Sequence, residues 1–498
     1  MTGTSLRAIV ATICSGLLLP YSFAACPAKD TVVVEVDTSK RIRRDVPKAV
    51  FGFNVPWRDF QIGHSDATGA VRSDVIALLQ PFAGASYRYP GGNVSNWFDW
   101  TGAGLDPKAR AQQLADFDRR AQLQFGPKEF ARFVSEVDGV ALITLNIAGK
   151  SAGEYHTAEA DRQVNSALNT LKRADVFGCV GGRSCRLIAL EFGNEMDWPP
   201  YRWSGPDYAQ RVASLIPSVS KSAPEAKLVV HGATAPWALK DGRLQDFNGA
   251  VADTLARSVS GIAIHPYYDG ITVPDALRYT DKFSQAFKSV GGSPDVYITE
   301  HARWPSMPKT GPWQQNWFMA TGVGGAVSTA DFQLGIISMP NVVMSNWHAL
   351  GMAGPWQLLR VDSSGAAYPT PVYWALKTLR EAFLSDVYKS TLRDSRKPEY
   401  AGGYNVRVVV MGTGDDSIKS VLGVNRSSSS VNVRVIDQNG EKVLTSTVVE
   451  RAVSSEDRSA ENTESRRDQI TQKVSTAKNF DGSYCAEANS VFSLVEAN

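Results

Sequence analysis

Hydrophobic positions in this chain change rhythm twice. Residues 31–37, Thr-Val-Val-Val-Glu-Val-Asp, alternate apolar and polar, as an antiparallel strand with one wet face does. From residue 49 the alternation gives way to short, continuous apolar runs. Those at 50–55, 85–89, 140–148, 186–192, 227–232, 261–265, 295–299 and 341–346 are candidate strands, and the run at 187–190 reads as one buried on both faces. Segments compatible with helices follow at 71–79, 127–137, 158–176, 208–222, 244–258, 276–290, 313–334 and 371–383. Pro127 opens one of them, where its missing N–H costs no helical hydrogen bond. Eight strand–helix units across 49–384 predict an α/β architecture, a (β/α)8 TIM barrel.

Beyond 384 the alternation returns. Short strands at 407–411, 420–424, 430–436, 443–449 and 491–495 are separated by Gly, Asn, Asp and Ser turns. They predict an antiparallel β-sandwich appended to the barrel. The early strand within 26–48 is assigned to the same sandwich. The polar, charged stretch 454–475 is expected to be a solvated, mobile loop.

The first 25 residues have the form of a secretory signal. Arg7 precedes an apolar run at 8–19, Pro20 breaks it, and Ser22-Phe23-Ala24-Ala25 offers small residues for cleavage. The run is short for a membrane span. Export to the periplasm or the medium is therefore expected. Phe23 fits a lipoprotein signal poorly, which favours a soluble exported protein over one lipidated at Cys26. Export changes the reading of the five cysteines. Cys14 leaves with the signal, and an even four remain in an oxidising compartment. Cys179 and Cys185 flank a short loop and are paired here, leaving Cys26 to join Cys485 across the ends of the mature chain. No His sits at ligand spacing beside them, so a zinc site is not expected. A formal charge of +2 over 498 residues gives no basis for a nucleic-acid or anionic-membrane partner. The twelve Trp are generous; most are expected in the core, but sugar-binding clefts also use flat aromatic faces.

The chemistry concentrates where strands end. Leu187-Ile188-Ala189-Leu190 runs into Gly193-Asn194-Glu195, and Val296-Tyr297-Ile298-Thr299 runs into Glu300. Two carboxylates at the C-terminal ends of buried strands suit the acid and the nucleophile of glycoside hydrolysis. Asn194 is placed to hold a sugar hydroxyl beside Glu195. Arg88 ends the second run, where it would lower the pKa of the nucleophile; the alternative is an exposed Arg before a Pro-Gly-Gly turn. Asn93, His265, Tyr267, Trp304, the 346–348 segment and Trp356-Gln357 are further candidates to line the cleft. No cofactor is called for, since no ligand cluster stands out.

Taken together, Arg-Tyr-Pro-Gly-Gly-Asn at 88–93, Gly-Asn-Glu-Met-Asp at 193–197, His-Pro-Tyr at 265–267 and Thr-Glu at 299–300 resemble clan A retaining glycoside hydrolases. The closest likeness is to family 51, the α-L-arabinofuranosidases. It covers 50–383, and the appended sandwich matches that family's architecture. The resemblance implies Glu195 as acid/base, Glu300 as nucleophile, and sugar contacts from Arg88, Asn93, Asn194, His265, Tyr267 and Trp304. Two departures stand out. That family has a Glu in the loop after the first strand, whereas residues 51–57 here contain no carboxylate. His301-Ala302-Arg303-Trp304 also replaces the usual Trp-Asn after the nucleophile. Catalysis thus carries over more directly than sugar choice. A β-xylosidase, a β-glucuronidase, an endo-acting glycanase, a transglycosylase and a carbohydrate-binding pseudoenzyme remain alternatives to the arabinofuranosidase.

Overall fold

The computed structural model describes residues 26, 30–57, 64–101, 104–105, 125–149, 158–178, 186–234, 242–268, 273–351, 354–400, 402–415 and 417–497. Eight parallel strands form a closed ring. They are β1 (Gly52–Asn54), β2 (Ser86–Tyr89), β3 (Val140–Leu145), β4 (Leu187–Phe192), β5 (Lys227–His231), β6 (Gly261–Ala263), β7 (Asp295–Arg303) and β8 (Val342–Trp347). The ring closes where Asn346 and Trp347 of β8 pair with Gly52 and Phe53 of β1. The helices that follow the strands are α1 (Ser73–Leu79), α2 (Pro127–Glu136), α3 (Ala158–Leu171), α4 (Gly205–Ser222), α5 (Gly242–Leu255), α6 (Val273–Ser289), α7 (Val323–Ile337) and α8 (Pro371–Arg380). The expected TIM barrel is the fold observed.

Strand alternation fills the ring in layers. Leu142, Ala189, Val229, Ala263, Tyr297 and Met344 pack together as one apolar cluster inside the barrel. Two residues further along each strand the side chains return to the same face. There the chain places Thr144, Glu191, His231, His265, Thr299 and Asn346, with Arg88 from β2; all are buried. An apolar floor thus carries a polar layer at the C-terminal rim, the end of a TIM barrel where sites form.

The second sheet has nine strands, ordered 473–477, 448–454, 490–496, 418–425, 406–412, 386–393, 31–43, 431–437 and 483–486. Its neighbours are antiparallel except that Thr31–Arg43 runs parallel to Val431–Asp437. The N-terminal strand belongs to this sheet as expected, and a Cys26–Cys485 disulfide lies beside it. Cys179, Cys185 and the signal segment lie outside the described residues, as do most of the loops at 58–63 and 102–124.

The sequence reading needs three corrections. Helix 313–334 is interrupted: a turn at Trp313–Asn316 and a short helix at Phe318–Thr321 precede α7, and the break falls at Gly322. A Cβ on Gly322 would stand 2.7 Å from the Phe318 carbonyl and 2.9 Å from that of Ala460, so a larger residue would force the chains apart. The strand expected at 443–449 is displaced to Val448–Ser454. Most notably, 454–475 is not a free loop. Val323 and Gly324 donate their backbone N–H groups to Ala460 and Arg458 carbonyls, capping the start of α7. Asn462 is buried, bonding the Pro369 and Ile470 carbonyls, and Arg360 from the barrel reaches Glu461 and the Asn462 carbonyl. Many of its side chains still face water, but the segment is tied down at a joint by its backbone carbonyls and the buried Asn462.

α7 explains why that joint is needed. It is buried on nearly every side, wedged between barrel and second sheet. Asp331, its one carboxylate, is 1% exposed and receives Arg407 Nε at 2.6 Å, the Tyr404 hydroxyl at 2.7 Å and Arg426 at 3.3 Å. Removing one partner of a buried charge set leaves the others uncompensated. Asp331→Ala is therefore expected to lower unfolding stability by about 3 kcal/mol in chemical denaturation; a loss no larger than that of an exposed ion pair would refute this role.

Candidate active site

Arg88 is the centre of the polar layer. It is fully buried, and each guanidinium nitrogen has a separate acceptor. Nε donates to Glu191 Oε2 at 2.6 Å, Nη1 to Glu300 Oε1 at 2.8 Å and Nη2 to Asn194 Oδ1 at 2.7 Å. The alternative of an exposed Arg is thereby excluded. Its planar fork suits this three-way task as a Lys would not. Glu191 takes further hydrogen bonds from the Thr144 and Thr299 hydroxyls, each at 2.8 Å.

Glu195 is presented by a strained turn. Gly193 has φ 73° and Glu195 φ 46°, both in the left-handed region. For a non-glycine this costs about 1–3 kcal/mol and persists only where neighbours hold it. Those neighbours are identifiable. Asn194 N–H donates to Asn96 Oδ1 at 2.9 Å, and Asn96 Nδ2 donates back to the Asn194 carbonyl at 2.6 Å. Met196 N–H donates to His231 Nε2 at 3.3 Å. The Asp197 carboxylate accepts from the Thr234 hydroxyl and N–H. Glu195 Oε1 lies 2.9 Å from His265 Nδ1.

Glu300 accepts from the Tyr267 hydroxyl at 2.9 Å as well as from Arg88, and His348 Nδ1 stands 3.7 Å away. An aromatic wall rises beside it. Tyr267 lies 5.4 Å, ring to ring, from both Trp304 and Trp356, and Trp313 continues the wall 5.8 Å from Trp304. Trp304 is half-buried within that wall. Asn93 is exposed at the rim and accepts from Asn194 Nδ2 at 3.0 Å.

The two carboxyl groups have opposite electrostatics. Burial raises the Glu195 carboxyl above its ordinary value, with Glu300 and Asp197 adding to the effect and His265 opposing it. Burial alone would raise Glu300 too, but His348, His265, Arg88 and Tyr267 outweigh it and hold Glu300 at about 2. Glu195, His265 and Glu300 can each point one ligand atom so that all three lie within 4.8 Å of one another. Such a trio could accept a cation. Here, however, both His265 nitrogens are engaged, with Glu195 and Thr299, and Glu300 is ion-paired to Arg88. The arrangement is suited to holding a proton beside a carboxylate that stays ionised near neutral pH.

The structure brings together Arg88, Asn194, Glu195, His265, Tyr267 and Glu300, with Asn93 at the rim and Trp304 in the wall. Sequence reasoning missed Glu191, Asn96, Thr144, His231 and Thr299. For Glu191 a signal existed: it follows Ala189 at the inward spacing of two in an otherwise apolar strand. Asn96 and His231 gave none, because their partners are distant backbone groups.

No protein-family model matches the sequence, and no curated protein matches it. Solved structures do. A family 51 α-L-arabinofuranosidase from Bifidobacterium longum superposes with a TM-score of 0.73 at 15% identity, over 94% of this chain and 100% of that one. One from Thermotoga petrophila gives 0.71 at 14% identity, over 94% and 99%. A family 44 xyloglucanase from Paenibacillus polymyxa gives 0.58 at 14%, over 94% and 100%. The fold is that of clan A glycoside hydrolases, most like family 51.

The low pKa of Glu300 has a consequence for stability. Its folded-state value lies below the ordinary 4.5, so its contribution is present above that value and is lost as pH falls toward about 2. Unfolding free energy measured against pH is expected to fall through that window, and more gently in Glu300→Gln. Parallel pH profiles for the two proteins would contradict the assignment.

Proposed function

We propose that this chain is an exported retaining glycoside hydrolase, with α-L-arabinofuranosidase its best-supported specificity. The observation that carries the reading is the carboxyl pair. Oxygens of Glu195 and Glu300 come within 4.8 Å, one carboxyl tuned to hold a proton and the other to stay ionised. Retaining enzymes keep their carboxyl groups about 5–5.5 Å apart, and inverting ones about 6.5–9.5 Å. The short separation leaves no room for a water between nucleophile and sugar, so Glu300 itself attacks.

In the first step a Glu300 oxygen bonds to the anomeric carbon while Glu195 protonates the departing oxygen. Arg88 and Tyr267 orient Glu300 and spread its charge. In the second step Glu195 takes a proton from water, whose oxygen displaces Glu300 and restores the starting configuration. Asn194, held by Arg88 and the Asn96 pair, faces the sugar side of this centre. Trp304, half-buried at the edge of the aromatic wall, offers a flat face for a ring, with Trp356 packed behind it.

A second reading concerns specificity. Residues 51–57 around β1 carry no carboxylate where the resemblance implies an acidic sugar contact, and Asn54 is buried, donating to the Thr299 carbonyl at 2.8 Å. That favours a relative with a different sugar or an endo-acting mode, such as the xyloglucanase among its structural neighbours. Export is supported by the signal pattern and by the Cys26–Cys485 disulfide. Among the described residues no helix is long and apolar enough to cross a membrane.

A panel of aryl glycosides separates these readings: α-L-arabinofuranoside, β-xyloside, β-glucuronide, β-glucoside and β-galactoside. Glu300→Ala is expected to abolish turnover of whichever is cleaved. Glu195→Ala should lose about 10²–10⁴-fold on an alkyl glycoside, whose leaving group needs a proton, and much less on an activated aryl one. Release of product with inverted configuration, followed by NMR, would overturn the mechanism.

A further inference from the structure

We propose that Glu191 is a positioning residue that joins the two carboxyl groups into one unit, by fixing the tautomer of His265 through Thr299. The proposal rests on the reading of Glu195 and Glu300 as acid/base and nucleophile.

The argument is a count of hydrogens. Glu191 is fully buried and faces Arg88 Nε at 2.6 Å, an ion pair in which its carboxylate can only accept. A Thr hydroxyl has one hydrogen, and that of Thr299 is directed at Glu191 Oε1. The Thr299 oxygen therefore turns a lone pair toward His265 Nε2, 2.9 Å away. Nε2 must carry an N–H. Nδ1 then needs no proton for neutrality, yet it sits 2.9 Å from Glu195 Oε1. Without a hydrogen between them, two lone pairs would face each other across a hydrogen-bond distance. The pair thus retains one further proton, on the carboxyl or on the imidazole, and this is the proton the leaving oxygen requires. It departs when the glycosidic bond breaks and is regained from water when the Glu300 ester is cleaved.

The same Glu191 fixes Arg88, whose Nη1 meets Glu300 and whose Nη2 meets Asn194. One carboxylate thereby serves the nucleophile on one side and the proton store on the other. The charged groups facing His265 are Glu195, Glu300 at 3.9 Å, Glu191 at 3.9 Å and Arg88, with His231 behind; Glu195 also faces Asp197. Loss of the Glu191 charge makes the stored proton easier to remove. Loss of the Thr299 acceptor lets His265 move its hydrogen to Nδ1, where it satisfies an ionised Glu195 with no extra proton. Both changes shift the basic limb of the rate profile toward lower pH.

The test uses the full-length enzyme and the aryl glycoside it cleaves fastest, with kcat and KM measured across pH. Glu191→Gln and Thr299→Val are expected to move the basic limb down by about one pH unit and to lower kcat by about 10–100-fold, with KM little changed. Thr299→Ser keeps the hydroxyl and should restore the wild-type profile. Nitrogen-15 NMR of the histidines, with the His265 signals assigned by their loss in His265→Gln, should show Nε2 protonated at every pH. Thermal destabilisation of the variants with an unmoved basic limb would overturn the proposal. So would a neutral His265 carrying its hydrogen on Nδ1. If the wild type cleaves no glycoside, the functional reading fails, while the NMR tautomer still decides the hydrogen count.

Discussion

A guanidinium with no exposure to water constrains this molecule more than any other group. Arg88 is buried with an acceptor for each of its three nitrogens, and a charge inside a barrel is tolerated only when paired. The match draws on β2, β4 and β7 together, through Glu191, Asn194 and Glu300. The rims of three strands are thereby brought into mutual register by one side chain. A small shear between them would unpair a buried charge, and this gives the site its rigidity. The Asn96 pair and His231 extend the same logic to the strained turn that carries Glu195.

The layered barrel interior shows why some of this was legible and some was not. Apolar runs reported the strands well, because a strand covered on both faces is apolar along most of its length. The ends of those runs reported Glu195, Glu300, Arg88 and His265, where polar residues interrupt the pattern abruptly. Glu191 sits inside a run instead, and Thr299 entered only as the residue before Glu300, with no role of its own. Their spacing of two from Ala189 and Tyr297 is the same device that places every other inward group. Read as a column rather than one strand at a time, the polar layer was present in the sequence.

The second sheet was less legible, for a different physical reason. Its strands at 473–477 and 483–486 are short and polar, and their pairing is set by strands tens of residues away, Val448–Ser454 and Val431–Asp437. Local alternation cannot report such partners. The charged stretch 454–475 was half legible: composition predicted its exposed side chains but not the backbone groups that tie it down. Here a helix start and a buried Asn supply them.

That stretch makes the two parts of the molecule inseparable. α7 is a barrel helix with no wet face, and its first N–H groups are closed by carbonyls from residues 458 and 460, far along the chain. A barrel cut off before the second sheet would expose an apolar cylinder with an open end and a solitary Asp331. Such a fragment would seek another surface, most readily a copy of itself. The appended sheet is therefore not a module that evolution could trade freely among barrels. It is the outer wall of the seventh strand–helix unit of this one, and the two share one apolar core.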